Sequence, residues 1–187
     1  YNTDGPDAVS ISSNQTELEK EGIRLAQASY FLDAFKDTAL ERNVDIGNDI
    51  CITDFLPALQ IIEDGEEPCP ASGLTSIDIH TQGKKFEHGE DSHHFVAWLL
   101  EECRQTCTHK WSGTNQHPSH NHSQVGNVIT AFVHFVYLYS HKSVVLANIQ
   151  SKSLFPLSVF LLLMRHAGTA VDSKHVIFDL MSHAVEG

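Results

Sequence analysis

Residues Ile129–Gln150, ITAFVHFVYLYSHKSVVLANIQ, decide how this chain is read. Apolar residues at helical spacing over Val128–Tyr139 predict an amphipathic helix. A short polar turn follows, and Ser143–Ile149 predicts a buried strand. The strand ends in two amides, Asn148 and Gln150. In an extended segment these share one face, and Ile149 points to the other. Strand ends in α+β enzymes are fixed by the sheet and open to the cleft, so ligands are commonly held there. On periodicity alone, a ligand-facing pair and two solvated amides both remain open. Phe132, Phe135, Val136, Val144 and Leu146 are the expected core of this helix–strand unit.

Outward from this stretch the pattern is mixed. Residues 1–15 are polar and turn-rich. Apolar residues recur near helical spacing from Thr16, with Asn14 or Thr16 as the cap and an end near Glu41. Ile50–Ile62 reads as a strand, or as a helix interrupted at Pro57. Gly65–Gly73 is a loop, Phe95–Leu100 a strand, residues 115–126 a His- and Asn-rich loop, and Val176–Phe178 a short strand. The sum is an α+β chain with no internal repeat.

Composition narrows the function. The chain has 187 residues and 41% hydrophobic content, enough for a sizeable core in one domain. Its formal charge of −12, with scattered lysines and arginines, excludes nonspecific nucleic-acid binding. The acidic balance favours basic or neutral protein partners. Four cysteines, Cys51, Cys69, Cys103 and Cys107, are too few and too unevenly spaced for a disulfide framework. Reduced thiols and the lack of a signal segment suggest an intracellular, cytoplasmic protein. The apolar run Phe155–Met164 is too short to span a bilayer, so no membrane partner is expected.

The opening stretch resembles the alpha-kinase family of atypical protein kinases, in its fungal-type branch. Ile129, Thr130, Ala131, Phe132, His134, Phe135, Tyr137, Tyr139, Ser140, Lys142, Val145, Ile149 and Gln150 match the pattern of that branch. Asn148 departs from it, standing where the family has an aspartate. Asn14–Phe35, Thr53-Asp54-Phe55, Pro68–Leu74, Trp98–Glu101, Lys110–Thr114 and Val176–Gly187 also resemble the branch. The resemblance implies a two-lobed, protein-kinase-like α+β domain, with an N-lobe remnant over about 1–100 and a partial C-lobe over about 101–187. It implies ATP-dependent phosphorylation of Ser or Thr on proteins, with ATP and Mg²⁺ as cofactors.

The same resemblance assigns roles. Asn148 takes the position of the catalytic aspartate, Gln150 that of an amide ligand near the metal, and Asp179 that of a second carboxylate on magnesium. An amide accepts no proton at neutral pH. For Asp179, a strand-end carboxylate capping a turn is the competing reading. Glu101 matches the strand-end glutamate of the nucleotide-binding hinge, and an exposed strand-end acid is its alternative. Lys110, Ser112 and Thr114 match a loop that faces the cleft in relatives, or are plain surface.

His134 matches one of four zinc ligands whose partners would follow Gly187, so no complete zinc site is expected. By itself, a lone His on an apolar helix face is more often a core residue than a ligand. A rival metal site uses Cys103, Cys107 and His109 with His117, His120 and His122, at spacing looser than zinc modules favour.

Two features set this chain apart from the family pattern. Residues 151–167 look inserted, because family text resumes at Gly168. The family's nucleotide-anchoring lysine and Gly-rich loop would lie before Tyr1 and after Gly187, so the chain reads as the middle of a domain, and no measurable kinase activity is expected of it. A pseudokinase or binding module without catalysis is the alternative function, and a small metal-binding domain a weaker one.

Overall fold

A computed structural model describes residues 10–47, 50–82, 85–88, 91–102, 108–113, 123–154, 174–178 and 180–184. The elements in chain order are α1 (Ile11–Glu41), β1 (Ile50–Ile52), β2 (Phe55–Ile62), α2 (Ser76–Gln82), β3 (Lys85–His88), β4 (Asp91–Glu101), β5 (His109–Lys110), α3 (Gln124–Tyr139), β6 (Val144–Ala147), β7 (Gln150–Leu154), β8 (Lys174–Phe178) and β9 (Met181–Ala184). The fold is α+β, with three small sheets ordered β1-β8-β7-β5, β2-β4-β3 and β6-β9. The chain divides into two compact units, Tyr1–Ile23 with Asp54–Glu102, and Arg24–Thr53 with Cys103–Gly187. No helix among the described residues is long and apolar enough to cross a membrane.

In the first unit, β4 pairs antiparallel with β2 on one side and β3 on the other. Among the described residues β2 pairs with β4 alone, so Pro57 sits on an edge strand, where proline is tolerated. This resolves the Ile50–Ile62 stretch as two strands, β1 and β2, in different sheets. Ile11, Ile62, Ile79 and Val96 form a buried cluster, with Leu74 and Trp98 against it. Gly22 approaches the sheet closely: a methyl there would lie 3.3 Å from the Phe55 ring and 3.9 Å from Leu99.

Helix α1 ends at Glu41 as its spacing suggests, but it starts at Ile11 rather than Thr16. Its cap is Ser10, whose Oγ accepts the Ser13 N–H at 3.1 Å. Thr16 lies inside the helix and donates to the Ser12 carbonyl. A polar first turn with a serine cap carries no apolar periodicity, which is why the spacing misses it. The short elements α2, β3 and β9 were not foreseen for a similar reason: none is long enough to show a period.

In the second unit, α3 carries the expected core. Ser123 caps it by accepting the Gly126 N–H at 3.1 Å. Phe132 and Val136 are fully buried and Leu146 of β6 is buried, whereas Phe135 and Val144 are only half-buried. Aromatic rings join α3 to the second half of α1. Phe35 lies 5.6 Å from Phe132 and 5.4 Å from Phe135, and Tyr139 meets both Tyr30 and Phe31. Tilted and edge-on pairs at these separations are the favoured aromatic geometry. After Ser140 the chain turns through His141 and Lys142, both left-handed at φ 53° and 67°, to enter β6. The Lys142 N–H donates to the Tyr137 carbonyl and the Val144 N–H to Ser140 Oγ, holding that turn.

Truncating Phe132→Ala should cost roughly 3–5 kcal/mol, because a fully buried ring leaves a cavity. Leu138→Ala, at a position 65% exposed, should stay within about 0.5 kcal/mol. Urea melts of the two variants check this contrast. A second outcome concerns Tyr139. Its hydrogen bond to the Tyr30 hydroxyl, then the charge of Tyr30 and desolvation, raise its pKa above the ordinary 10.0. The bond therefore supports the fold below the unfolded tyrosine's pKa and is lost as pH rises through the folded value. Absorbance titration of Tyr30→Phe should bring Tyr139 ionisation back down.

Candidate functional site

Two strand pairs in the second unit share one register. Ala147 of β6 faces Met181 of β9, and Gln150 of β7 faces Phe178 of β8. Between these ladders lie two residues on each chain, 148–149 and 179–180. The ladder stops there because Asn148 is left-handed, with φ 50°. A left-handed residue turns the backbone out of the pleat, and asparagine is among the few side chains that tolerate it. The expectation of one strand through Ile149, with Asn148 and Gln150 on a common face, is corrected by this turn. β6 ends at Ala147, and Gln150 opens a strand in another sheet.

A second segment clamps the break. β5 pairs with β7, Lys110 facing Gln150 and His109 facing Ser151. The pairing continues past the end of β5. The Trp111 N–H donates to the Ile149 carbonyl at 2.8 Å, and the Ser112 N–H to the same carbonyl at 3.4 Å. The Ile149 N–H donates to Ser112 Oγ at 3.0 Å, and the Asn148 N–H to the Gly113 carbonyl at 3.3 Å. Trp111 Nε1 donates to Ser151 Oγ at 2.7 Å. Asn148, Ile149, Ser151, Trp111 and Ser112 are all buried, Ile149 and Ser151 completely. Outside the buried pin, the His109 ring lies 4.2 Å from the Trp111 ring. Buried polar groups with partners on both sides fix one geometry, because any other arrangement leaves a donor or acceptor unmet.

A model of the alpha-kinase family matches residues 5–165, most of the chain. The chain belongs to the alpha-kinase family. It is an alpha-type protein kinase domain, and kinases of this family work with ATP and Mg²⁺. Comparison with curated proteins and with solved structures gave no match.

The expected site residues of this alpha-kinase domain fall in several places. Asn148, Gln150, Lys110 and Ser112 come together at the break. Ser112 is buried and structural there, neither surface nor an open loop residue. Glu101 is the last residue of β4, exposed, and belongs to the first unit. His134 is on an exposed face of α3, which corrects the reading of it as a core residue. Asp179, Thr114, Cys103, Cys107, His117, His120 and His122 lie outside the described residues, as do residues 155–173 of the stretch around the expected insertion. Residues 151–154 of that stretch form part of β7.

Asn148 and Gln150 offer neutral amide oxygens, whereas magnesium favours carboxylates and phosphates. Among the described residues there is no group of three or more His, Cys, Asp or Glu side chains able to hold a metal. The described residues alone therefore do not fit a magnesium site.

Trp111 and Ser151 were missed by sequence reasoning. One signal was available: a tryptophan inside a polar loop segment needs an acceptor for its N–H once buried. Position 148 generates a direct test. Asn148→Gly and Asn148→Asp should keep stability to within about 1 kcal/mol, because both tolerate the left-handed turn. Asn148→Val should lose roughly 1–3 kcal/mol, since a β-branched residue is strained there. Thermal melts of the three variants decide the order.

Proposed function

We propose that this domain is an alpha-kinase of the fungal-type branch that holds ATP at the 148 break and transfers phosphate to protein Ser or Thr slowly. Asn148 carries this reading. It stands at the family's aspartate position, is buried, and is locked in a turn beside Gln150. In the transfer step a substrate hydroxyl oxygen bonds to the γ-phosphorus, the bond to ADP breaks, and the hydroxyl proton goes to a base. An amide cannot take that proton. It keeps the shape of the carboxylate and one of its acceptor oxygens, so the reading pairs retained binding with weakened chemistry. The same substitution favours a pseudokinase as the second reading, in which nucleotide binding is all that remains. By the family resemblance, a nucleotide-binding role for Glu101 and metal-side roles for Asp179 and Gln150 are the further readings proposed. The acidic chain, with net charge −12, suits a basic protein substrate.

The test uses protein expressed from the full reading frame. Wild type and Asn148→Asp are compared for transfer of labelled phosphate from ATP to a basic protein rich in Ser and Thr. The carboxylate form should be faster by a factor on the order of 10²–10⁴, the usual contribution of a general base. ATP should stabilise both forms against heat. Equal rates would remove position 148 from the chemistry, and no thermal shift in either form would remove nucleotide binding.

A further inference from the structure

Ile149 sits between the two amides, and both of its backbone polar groups are taken by one neighbouring segment. Its carbonyl accepts from the Trp111 and Ser112 N–H groups, and its N–H donates to Ser112 Oγ at 3.0 Å. The remaining clamp bond, from the Asn148 N–H to the Gly113 carbonyl, is also backbone to backbone. Backbone bonds survive most substitutions. The Ser112 hydroxyl contact, in contrast, depends on residue type. Ser112 is 5% exposed, and Ile149 is sealed from solvent. Water therefore cannot replace that acceptor without opening the site. Asn148 holds φ at 50°, a conformation that persists in a non-glycine residue only when its surroundings impose it.

We propose that Ser112 is a positioning residue for the nucleotide site, acting through the Ile149 N–H to fix the direction of the Asn148 side chain. This rests on the reading of the 148 break as a nucleotide site. Ser112 need touch no ligand. Its hydroxyl oxygen holds the Ile149 N–H, and with it the peptide plane that joins Asn148 to Ile149. Without the oxygen, that peptide can turn to find another acceptor, and the Asn148 side chain turns with it. Three of the four clamp bonds remain, so the domain stays folded while the site loosens.

The experiment compares wild type, Ser112→Ala, which removes the acceptor, and Ser112→Thr, which keeps it. Ser112→Cys is added as a near-isosteric variant with a weak acceptor, in case the alanine form folds poorly. Amide hydrogen exchange is read at Ile149 and, as an internal reference, at Val136 in the buried core of α3. ATP affinity is read by calorimetry with magnesium present. In the alanine and cysteine forms Ile149 exchange should quicken and ATP affinity should fall, each on the order of tenfold, as expected for an unmet buried amide. Exchange at Val136 should stay unchanged. The threonine form should restore both readings. Faster exchange at Ile149 with unaltered ATP affinity would overturn the positioning role and leave the nucleotide reading intact. Equal loss of affinity in the alanine and threonine forms would also overturn it, because the hydroxyl would then be irrelevant. Wild type that binds no ATP would overturn the nucleotide reading, and this role with it.

Discussion

The second unit depends on one backbone conformation, the left-handed turn at Asn148. Two ladders on either side of it keep a common register, Ala147 with Met181 and Gln150 with Phe178. A continuous hairpin would be the simplest solution for such a register. The turn breaks it and sends the chain from the β6-β9 pair into the four-stranded sheet. A single left-handed asparagine costs little, about 1 kcal/mol or less by its lower strain than other side chains. The surrounding bonds outweigh that cost. Trp111, Ser112 and Gly113 satisfy the backbone of residues 148 and 149, and the buried Trp111–Ser151 bond pins the clamp to β7. Interrupted strands of this kind present side chains at an end that the sheet still holds rigid, which is the usual requirement of a binding site.

Helix α3 delivers the chain to this point. Ile129, Phe132, Val133 and Val136 form its buried side, and Phe132 with the half-buried Phe135 meets Phe35 of α1. The two left-handed residues after Ser140 then reverse the chain in a short space. Each is a position where a glycine would be easier, so the strain is balanced by the bonds that the Val144, Lys142 and His141 N–H groups donate to Ser140 Oγ and to the Tyr137 and Leu138 carbonyls. Burial of the helix thus positions β6, and β6 positions the turn. The exposed face, with His134 and Leu138, takes no part in that chain of support.

Much of this was legible in the sequence because long elements have a period. The end of α1 at Glu41, the end of α3 at Tyr139 and the burial of Phe132, Val136 and Leu146 all follow from apolar spacing, whereas α3 begins at Gln124, four residues before the expected Val128. The α+β class and the family followed from the letters themselves. What escaped has a common physical cause. A left-handed residue leaves no periodic trace, so Asn148 and Gln150 read as neighbours on one strand face. Hydrogen bonds between residues 40 apart, as from Trp111 to Ser151, are invisible to any local window. Ser112 read as a cleft-facing loop residue or plain surface, because a small polar residue gives no sign of being buried. The start of α1 was hidden by its polar first turn, and Pro57 left two readings open until the pairing placed it on an edge. At the site, the exchange of a carboxylate for an amide was plain in the sequence, but the turn that keeps the amide in place was not.

The most direct test of this account is the backbone conformation of residue 148 in solution. Nuclear magnetic resonance of isotopically labelled protein reads it without reference to activity. A left-handed residue brings its own amide proton close to its own α-proton, giving a strong contact within the residue. The account predicts that strong contact at Asn148, with extended-strand signals up to Ala147 and again from Gln150. Unbroken extended signals through Asn148 and Ile149, with strong contacts only between successive residues, would contradict it.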